Sequence, residues 1–384
     1  MSGGLARGRG RDSDRPPECR PATRPARIGN HQLAGRWNVL AAALLWGTTG
    51  TAATFAPPSV PAAVVGAAGM GLGGLVLFLL GGREARLLAR GALRRLLVRR
   101  ALGRVPGRDA LLRVLVRSVL GQRRPRSASG RVVVGEALGG EREAPIGRAI
   151  LAGSVAVILY PLCFYSAMHV GGVALGVTTT IGSSPVAAAA FERILTGEPL
   201  PRGPLVGGAA AVVGTALLGG ASIGLGDRSP SAILTGVGLG LLAGSCYGAY
   251  SVAGARAIRS GVSSGATMGA MFGLASVPLL VAAASAPEVV LALRGVAVIG
   301  YLALVPMAAG YVLFGRGLRS TSATAATTLS LAEPVVAALL ARAVAHQQVS
   351  GFGWLGIAVV TAGVVVTARR STAPVAPPAR SRRP

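Results

Sequence analysis

Apolar residues occur in ten blocks along the chain, separated by shorter stretches that contain most of the polar and charged residues. The blocks cover residues 38–56, 60–80, 149–168, 173–191, 204–223, 232–255, 266–286, 295–314, 323–343 and 352–368. A helix of about 20 apolar residues spans a bilayer core of about 30 Å. The pattern therefore predicts ten transmembrane helices.

The composition favours a membrane protein over the alternative, a soluble helical bundle. Hydrophobic residues make up 51% of the chain and charged residues 14%, whereas soluble domains carry about 25% charged residues. The 57 glycines would weaken water-exposed helices but suit close helix packing in lipid. We therefore expect an all-α integral membrane protein.

The formal net charge of +26 raises the question of nucleic-acid binding, but the placement of the charges indicates membrane topology. Every basic residue is arginine. With the N-terminus in the cytoplasm, all arginines except Arg228, Arg294 and Arg342 fall on the inner side, as the positive-inside rule requires. We predict a multi-pass inner-membrane protein with both termini cytoplasmic, next to an anionic inner leaflet, and no nucleic-acid partner.

Sequence patterns of enzymes and metal sites have no supporting context. The stretch GVSSG (261–265) matches the hydrolase nucleophile pattern Gly-x-Ser-x-Gly, but it lies in a short loop between predicted helices, without a preceding strand. Cysteine, histidine and acidic residues show no metal-ligand spacing, and the absence of lysine excludes a P-loop. We predict no catalytic residue, no metal and no cofactor.

Two internal alignments divide the chain into halves of five predicted spans. Pairing Pro185 with Pro334 aligns VTTTIGSSPVAAAAF with AATTLSLAEPVVAALL, and pairing Trp46 with Tyr247 aligns the first span with the sixth. Because five is odd, the second half would run antiparallel to the first. Inverted repeats of this kind are typical of transporters, with the substrate site between the halves.

The two alignments also predict the domain organisation. A disordered Arg/Pro-rich cytoplasmic tail (1–36) precedes the first repeat (37–223), and a second repeat (231–368) is followed by a disordered cytoplasmic tail (369–384). The first repeat contains an Arg-rich cytoplasmic insertion at 83–148. For residues 83–120 two alternatives stay open: an interfacial helix whose arginines reach anionic lipid, or a disordered expansion.

The repeated motif P-V-x-A-A in the fourth and ninth spans, together with TGEPL after the fourth, resembles the EamA family of the drug/metabolite transporter superfamily. The resemblance implies ten helices, cytoplasmic termini, a central cavity, and transport of small metabolites, often export of amino acids or drugs. One departure stands out. Gly197-Glu198 follows the fourth span, but the second copy reads Ala345-His346-Gln347.

Glu333 lies near the middle of the ninth span, directly before Pro334. A carboxylate there costs about 2.5 kcal/mol or more, so it should face an internal cavity. Two functional hypotheses are proton coupling and binding of a substrate ammonium group. The structural alternative is a hydrogen bond to the backbone freed by Pro334.

The remaining substrate-path candidates are the two equivalent prolines, hydroxyl groups at similar depth, and aromatic residues of the helices that line the cavity in relatives. They are Pro334, Pro185, Ser184, Trp46, Thr49, Tyr160, Tyr247, Tyr250, Tyr301 and Tyr311. Aromatic rings would suit an apolar or zwitterionic solute, whereas core packing, interfacial belting and helix-to-helix hydrogen bonds are the structural alternatives.

Together these features predict a secondary-active exporter of small metabolites, amino acids or drugs that works by alternating access. A lipid-linked-sugar flippase and a membrane scaffold that recruits a partner through the Arg-rich insertion are the rival hypotheses.

Overall fold

The computed structural model describes residues 26–53, 55, 61–102, 144–197, 202–220, 229–284, 293–345 and 348–370. Within these ranges every regular element is helical, which confirms the predicted all-α class for this part of the chain. The elements are α1 (Ala26–Ala53), α2 (Ala62–Leu80), α3 (Gly82–Leu102), α4 (Ala144–Gly171), α5 (Val173–Thr196), α6 (Arg202–Gly220), α7 (Pro230–Arg259), α8 (Ser264–Ala283), α9 (Leu293–Leu302), a π-helical segment (Ala303–Ala309), α10 (Gly310–Gly317), α11 (Ala323–Leu329), α12 (Ala332–Ala345) and α13 (Gly351–Arg370).

Nine helical stretches in the described ranges are long and apolar enough to cross a membrane. The first predicted block, 38–56, is not among the nine: residues 38–53 of it lie in α1, where an 18-residue stretch that ends at Ala53 also includes Arg36 and Asn38, which lower its mean hydropathy. These nine stretches support the prediction of a multi-pass membrane protein, and the count of ten spans stays a prediction.

Serine side chains define where three of the helices begin. Ser229, Ser263 and Ser322 precede α7, α8 and α11. The Oγ atom of each accepts a hydrogen bond from the backbone N–H of the residue three positions later. Each satisfies a backbone N–H that has no partner within the helix. At the other end of α5, Gly197 terminates the helix with a φ of 71°, a conformation that only glycine adopts without strain.

The main helix pairs join residues of the first predicted half to residues of the second. α2 packs on α8, α4 and α5 on α7, α6 on α13, and α1 on α10 and α12. Glycines allow this close approach: a Cβ on Gly248 would lie 2.6 Å from the backbone nitrogen of Ala188, and one on Gly214 2.5 Å from that of Val360. The two halves therefore share one interface of closely packed backbones.

The beginning of the Arg-rich insertion is a packed helix. One face of α3 is buried through Ala85, Leu88, Ala89 and Ala92, against α8 and α4. The opposite face exposes Arg83, Arg86, Arg90 and Arg94. Of the two alternatives for residues 83–120, the helical one describes the chain as far as Leu102. Residues 103–143 of the insertion, most of the N-terminal tail and all of the C-terminal tail from Ser371 lie outside the described ranges.

Several helix ends meet at one end of the bundle. The guanidinium of Arg259, at the end of α7, pairs with Glu192 near the end of α5. Arg36 in α1 donates a hydrogen bond to the carbonyl of Ala368 in α13. Arg316 lies at the end of α10. We refer to this region as the arginine-rich end.

Candidate functional site

Six aromatic side chains form a buried layer across the middle of the bundle. Trp46 comes from α1, Tyr247 and Tyr250 from α7, and Tyr311 from α10, and Phe272 and Phe314 complete the layer. The ring centroids of Tyr247 and Tyr250 lie 5.2 Å apart in a stacked arrangement, and those of Trp46 and Tyr311 lie 5.0 Å apart. We call these six residues the aromatic layer.

The polar groups of the layer are all hydrogen-bonded. Tyr250 and Tyr311 share a hydrogen bond between their hydroxyls at 2.9 Å. The hydroxyl of Tyr247 donates to Ser330 Oγ at 2.8 Å, and Trp46 Nε1 donates to the carbonyl of Pro306 at 2.8 Å. Buried Tyr and Trp need such partners. The rings are thus fixed in place and close the centre of the bundle.

Trp46 fits into the layer because of the chain opposite. The π-helical segment contains Pro306 and presents its carbonyl oxygen to the indole. A Cβ on Gly310 would lie 2.7 Å from Trp46 Nε1, so a larger residue there would displace the ring. π-Helical turns of this kind occur frequently at functional sites.

The ninth predicted span is two helices rather than one. α11 ends at Leu329 and α12 begins at Ala332. Pro334 has no N–H for the carbonyl of Ser330, four residues earlier; that carbonyl instead accepts a bond from Glu333 N at 2.9 Å. The interruption lies on the N-terminal side of Glu333.

Glu333 therefore lies in the first turn of α12, beside the aromatic layer. Its side chain is half-buried, and within the described residues its carboxylate accepts no hydrogen bond. The expected alternative, a bond from this carboxylate to the backbone near Pro334, has no contact to support it there. A Cβ on Gly47, the residue after Trp46, would lie 3.0 Å from the carbonyl oxygen of Glu333, which places this turn next to the aromatic layer.

Tyr160 connects the carboxylate region to the layer. Its ring centroid is 5.9 Å from that of Tyr247 and 5.7 Å from that of Phe164, with which it stacks. Tyr160, Phe164 and Tyr165, all on α4, are half-buried, unlike the layer. The half-buried groups around Glu333 thus border the fully buried layer on one side.

Three other predicted residues lie elsewhere or are engaged locally. Tyr301 is 37% exposed and donates a hydrogen bond to Thr48 Oγ1 at 2.9 Å, so it does not join the layer. Thr49, the residue after Thr48, is half-buried. Ser184 is buried and donates to the carbonyl of Ile181 in its own helix at 2.8 Å.

The two prolines predicted to be equivalent differ in their surroundings. α5 passes through Pro185 without interruption, whereas the chain leaves the helical conformation just before the turn that contains Pro334. The pair is therefore unequal in this structure. Glu198, His346 and Gln347, which carry the predicted departure from the family pattern, lie outside the described residues.

Sequence reasoning missed a buried carboxylate at the arginine-rich end. Glu192 is 6% exposed. It accepts bonds from Arg259 Nη2 (3.0 Å), Ala323 N (2.9 Å), Thr324 N (3.0 Å) and Thr324 Oγ1 (2.6 Å). The only signal was an acidic residue directly after the apolar block 173–191, because its partners are 67 to 132 positions away.

These features define the class: an all-helical, multi-pass membrane protein with a closed aromatic layer and a half-buried carboxylate at a helix interruption. Residues 234–369 match the model of the EamA-like transporter family. The chain is 29% identical over 220 residues to "Uncharacterized transporter YwfM" of Bacillus subtilis (strain 168), a match that covers 56% of this chain and 72% of that protein. Residues 234–369, in the second half of the chain, are therefore similar to the EamA-like transporter family, as the sequence motifs indicated.

A solved crystal structure shares the fold. It aligns with a TM-score of 0.57 at 18% identity, over 90% of this chain and 99% of that one. At this identity the likeness concerns the fold alone.

Replacing Gly310 by alanine should displace the Trp46 indole from Pro306 and lower the stability by about 1–3 kcal/mol. The measurement is tryptophan emission and thermal unfolding in detergent, with the exposed Trp37 and Trp354 replaced by phenylalanine. We expect a red shift and stronger acrylamide quenching. Gly300→Ala, with no atom within 4 Å of the new Cβ, is the matched control, and equal spectra for both variants would contradict the assignment.

Proposed function

We propose that the protein is a secondary-active transporter that exports small metabolites, amino acids or drugs across the inner membrane by alternating access. The observation that carries the proposal is the half-buried Glu333 carboxylate at a helix interruption, next to a closed aromatic layer. The similarity of residues 234–369 to the EamA-like transporter family, and of the chain to a Bacillus subtilis transporter, supports membrane transport. The direction, the substrate and the coupling are part of the proposal.

The arrangement around Glu333 favours solutes that can pair with a carboxylate. An unpaired charge in a low-dielectric site is costly, so it binds a proton or a hydrogen-bond donor. An ammonium group could pair with Glu333 while the apolar part of the solute packs on Tyr160, whose ring is half-buried. The same carboxylate can hold a proton when the solute is absent. Such an exchange would couple transport of the solute to transport of a proton in the opposite direction.

The helix pairing supports two inverted five-helix repeats. If the spans are numbered one to ten, the pairs α2–α8 and α6–α13 join spans two with seven and five with ten. The packing of α4 and α5 on α7 has its counterpart in the packing of α10 and α12 on α1. A two-fold relation between the halves predicts this set of pairs. In such folds the substrate site lies between the repeats.

Replacing Glu333 by glutamine should reduce transport and remove its dependence on the proton gradient. Loss of a charge-assisted hydrogen bond of about 1.5–3 kcal/mol corresponds to about ten- to a hundredfold weaker binding. The measurement is export from everted vesicles, with and without a proton ionophore, of a panel of radiolabelled amino acids and cationic dyes. Any compound exported by the wild type serves as the probe.

Tyr301→Phe is the control for this experiment, because it removes a hydroxyl outside the aromatic layer and should leave the rate unchanged. Wild-type rate and wild-type response to the ionophore in Glu333→Gln would rule out both roles for the carboxylate.

We propose that the arginine-rich end faces the cytoplasm. The exposed arginine face of α3 and the arginines at the ends of α5, α7 and α10 lie there, and an anionic inner leaflet would attract them. A fluorescent protein fused after Pro384 should be bright, and alkaline phosphatase at the same position should be inactive. An active phosphatase would reverse the assigned orientation.

A shortened insertion separates the transporter from the scaffold hypothesis. The deletion should spare α3, because Ala85, Leu88 and Ala89 are buried in the bundle and their loss would disturb packing. Removing residues 107–140 with a short Gly/Ser linker should leave export within about twofold of wild type, since the predicted path runs through the repeats. Abolished export by a monodisperse deletion protein would place an essential role in the insertion.

A further inference from the structure

We propose that Glu192 is the latch of the arginine-rich end: its carboxylate holds α5 against α7 and α11, and the path opens at that end when these bonds are released. This inference rests on the proposed transport function but concerns a residue outside the Glu333 site. It assigns a positioning role in the transport cycle to a side chain far from the substrate.

The carboxylate joins the two predicted halves through every bond that it makes. Glu192 belongs to α5, in the first half, whereas Arg259, Ala323 and Thr324 belong to α7 and α11, in the second. One oxygen accepts from Arg259 Nη2 and Ala323 N, and the other accepts from the backbone and hydroxyl of Thr324. A single side chain thus holds three structural elements together.

The start of α11 depends on this carboxylate. The first N–H groups of a helix have no partner within it and carry partial positive charge. Ser322 Oγ accepts the bond from Ala325 N, and Glu192 accepts those from Ala323 and Thr324. Separating α5 from α11 would expose these N–H groups together with the carboxylate. The hydrogen bonds of Glu192 to α11 therefore form and break together.

The latch is placed where water can replace the bonds that break. The Glu192 side chain is 7% exposed, whereas Arg259 is 36% exposed. Opening at this surface would hydrate the carboxylate, the guanidinium and the helix start, and would thereby offset much of the cost. A buried ion pair deep in the bundle would lack this route. The bonds of Glu192 can therefore break at a lower cost in free energy than those of an ion pair deep in the bundle.

One side of α11 connects the hydrogen bonds of Glu192 to the aromatic layer. Thr324, Thr327 and Ser330 follow one another at intervals of three residues, which places them on one side of α11. Thr324 binds Glu192, and Ser330 accepts the hydroxyl of Tyr247. Thr327, between them, is fully buried. Beyond the layer, around Glu333, side chains are half-buried, so the closed segment of the path runs from the latch to the layer.

Accessibility of a cysteine between the latch and the layer tests this proposal without any knowledge of the substrate. The full chain carries Thr327→Cys in a background where Cys19, Cys163 and Cys246 are replaced by serine. A membrane-impermeant maleimide is applied to everted and right-side-out vesicles, and the rate of labelling is measured from each side. Glu192→Gln keeps the shape of the side chain but removes the ion pair.

We expect Glu192→Gln to increase labelling from the arginine-rich side by about tenfold or more, because the amide loses the ion pair with Arg259 and has only one oxygen to accept the bonds from Ala323 and Thr324. Glu84→Gln is the matched control. Glu84 also joins two elements at this end, through Ser263, but that contact is exposed, and labelling should not change. Unchanged labelling in a monodisperse Glu192→Gln protein would overturn the proposal.

Arg259→Gln covers the case in which Glu192→Gln does not fold. It leaves Glu192 bonded to α11 and should raise labelling several-fold, and no increase would count equally against the latch. Failure of the proposed function is seen separately. Suppose that the protein exports none of the tested compounds while Glu192→Gln still increases maleimide labelling of the cysteine at position 327. That result would support the latch and contradict the proposed export.

Discussion

A helix that is interrupted inside a bilayer must find new partners for the backbone and side-chain groups at the break, because lipid offers none. The short helix α11, Ala323–Leu329, meets this requirement at both ends. At its start Glu192 and Ser322 accept the first N–H groups. After its end Ser330 donates to the carbonyl of Thr327 and accepts from Tyr247. Residues from α5 and α7 thus hold α11 in place.

The aromatic layer follows from this constraint. Tyr247 is fixed by Ser330 and stacks on Tyr250, whose hydroxyl is paired with that of Tyr311. Tyr311 in turn packs against Trp46. Each ring therefore depends on a neighbour from another helix, and the chain of contacts begins at the helix break. The polar groups of the layer are all paired, either with each other or with Ser330 Oγ and the carbonyl of Pro306.

Much of the fold could be predicted from the sequence because hydrophobic block length is a local property. The blocks, the all-helical class and the family motifs needed no knowledge of contacts. Trp46, Tyr247, Tyr250 and Tyr311 could be grouped because an aromatic residue in an apolar span attracts attention wherever it lies. Tyr301 satisfied the same criterion yet bonds to Thr48, since the side of a helix that faces the centre is set by packing.

The features that sequence reasoning missed are those that depend on distant partners. Glu192 has the same residue type as Glu333, but it follows the end of its apolar block instead of lying near the middle, and its partners come from two later helices. The start of the insertion packs through alanines and one leucine, a pattern that is hidden among its many arginines. At Pro185 the carbonyl that lacks an N–H partner, that of Ile181, accepts the hydroxyl of Ser184, whereas at Pro334 the corresponding carbonyl of Ser330 accepts the N–H of Glu333.

The positions of the two carboxylates give α11 a further significance. Glu192 binds its first residues, and Glu333 follows its last residue by four positions. Seven helical residues extend only about 10 Å. If the start of α11 were displaced from α5, as we propose, Ser330, its hydrogen bond to Tyr247 and the turn that carries Glu333 would shift with it. One short helix thus joins the arginine-rich end mechanically to the half-buried carboxylate, which an uninterrupted helix anchored in lipid at both ends would do less readily.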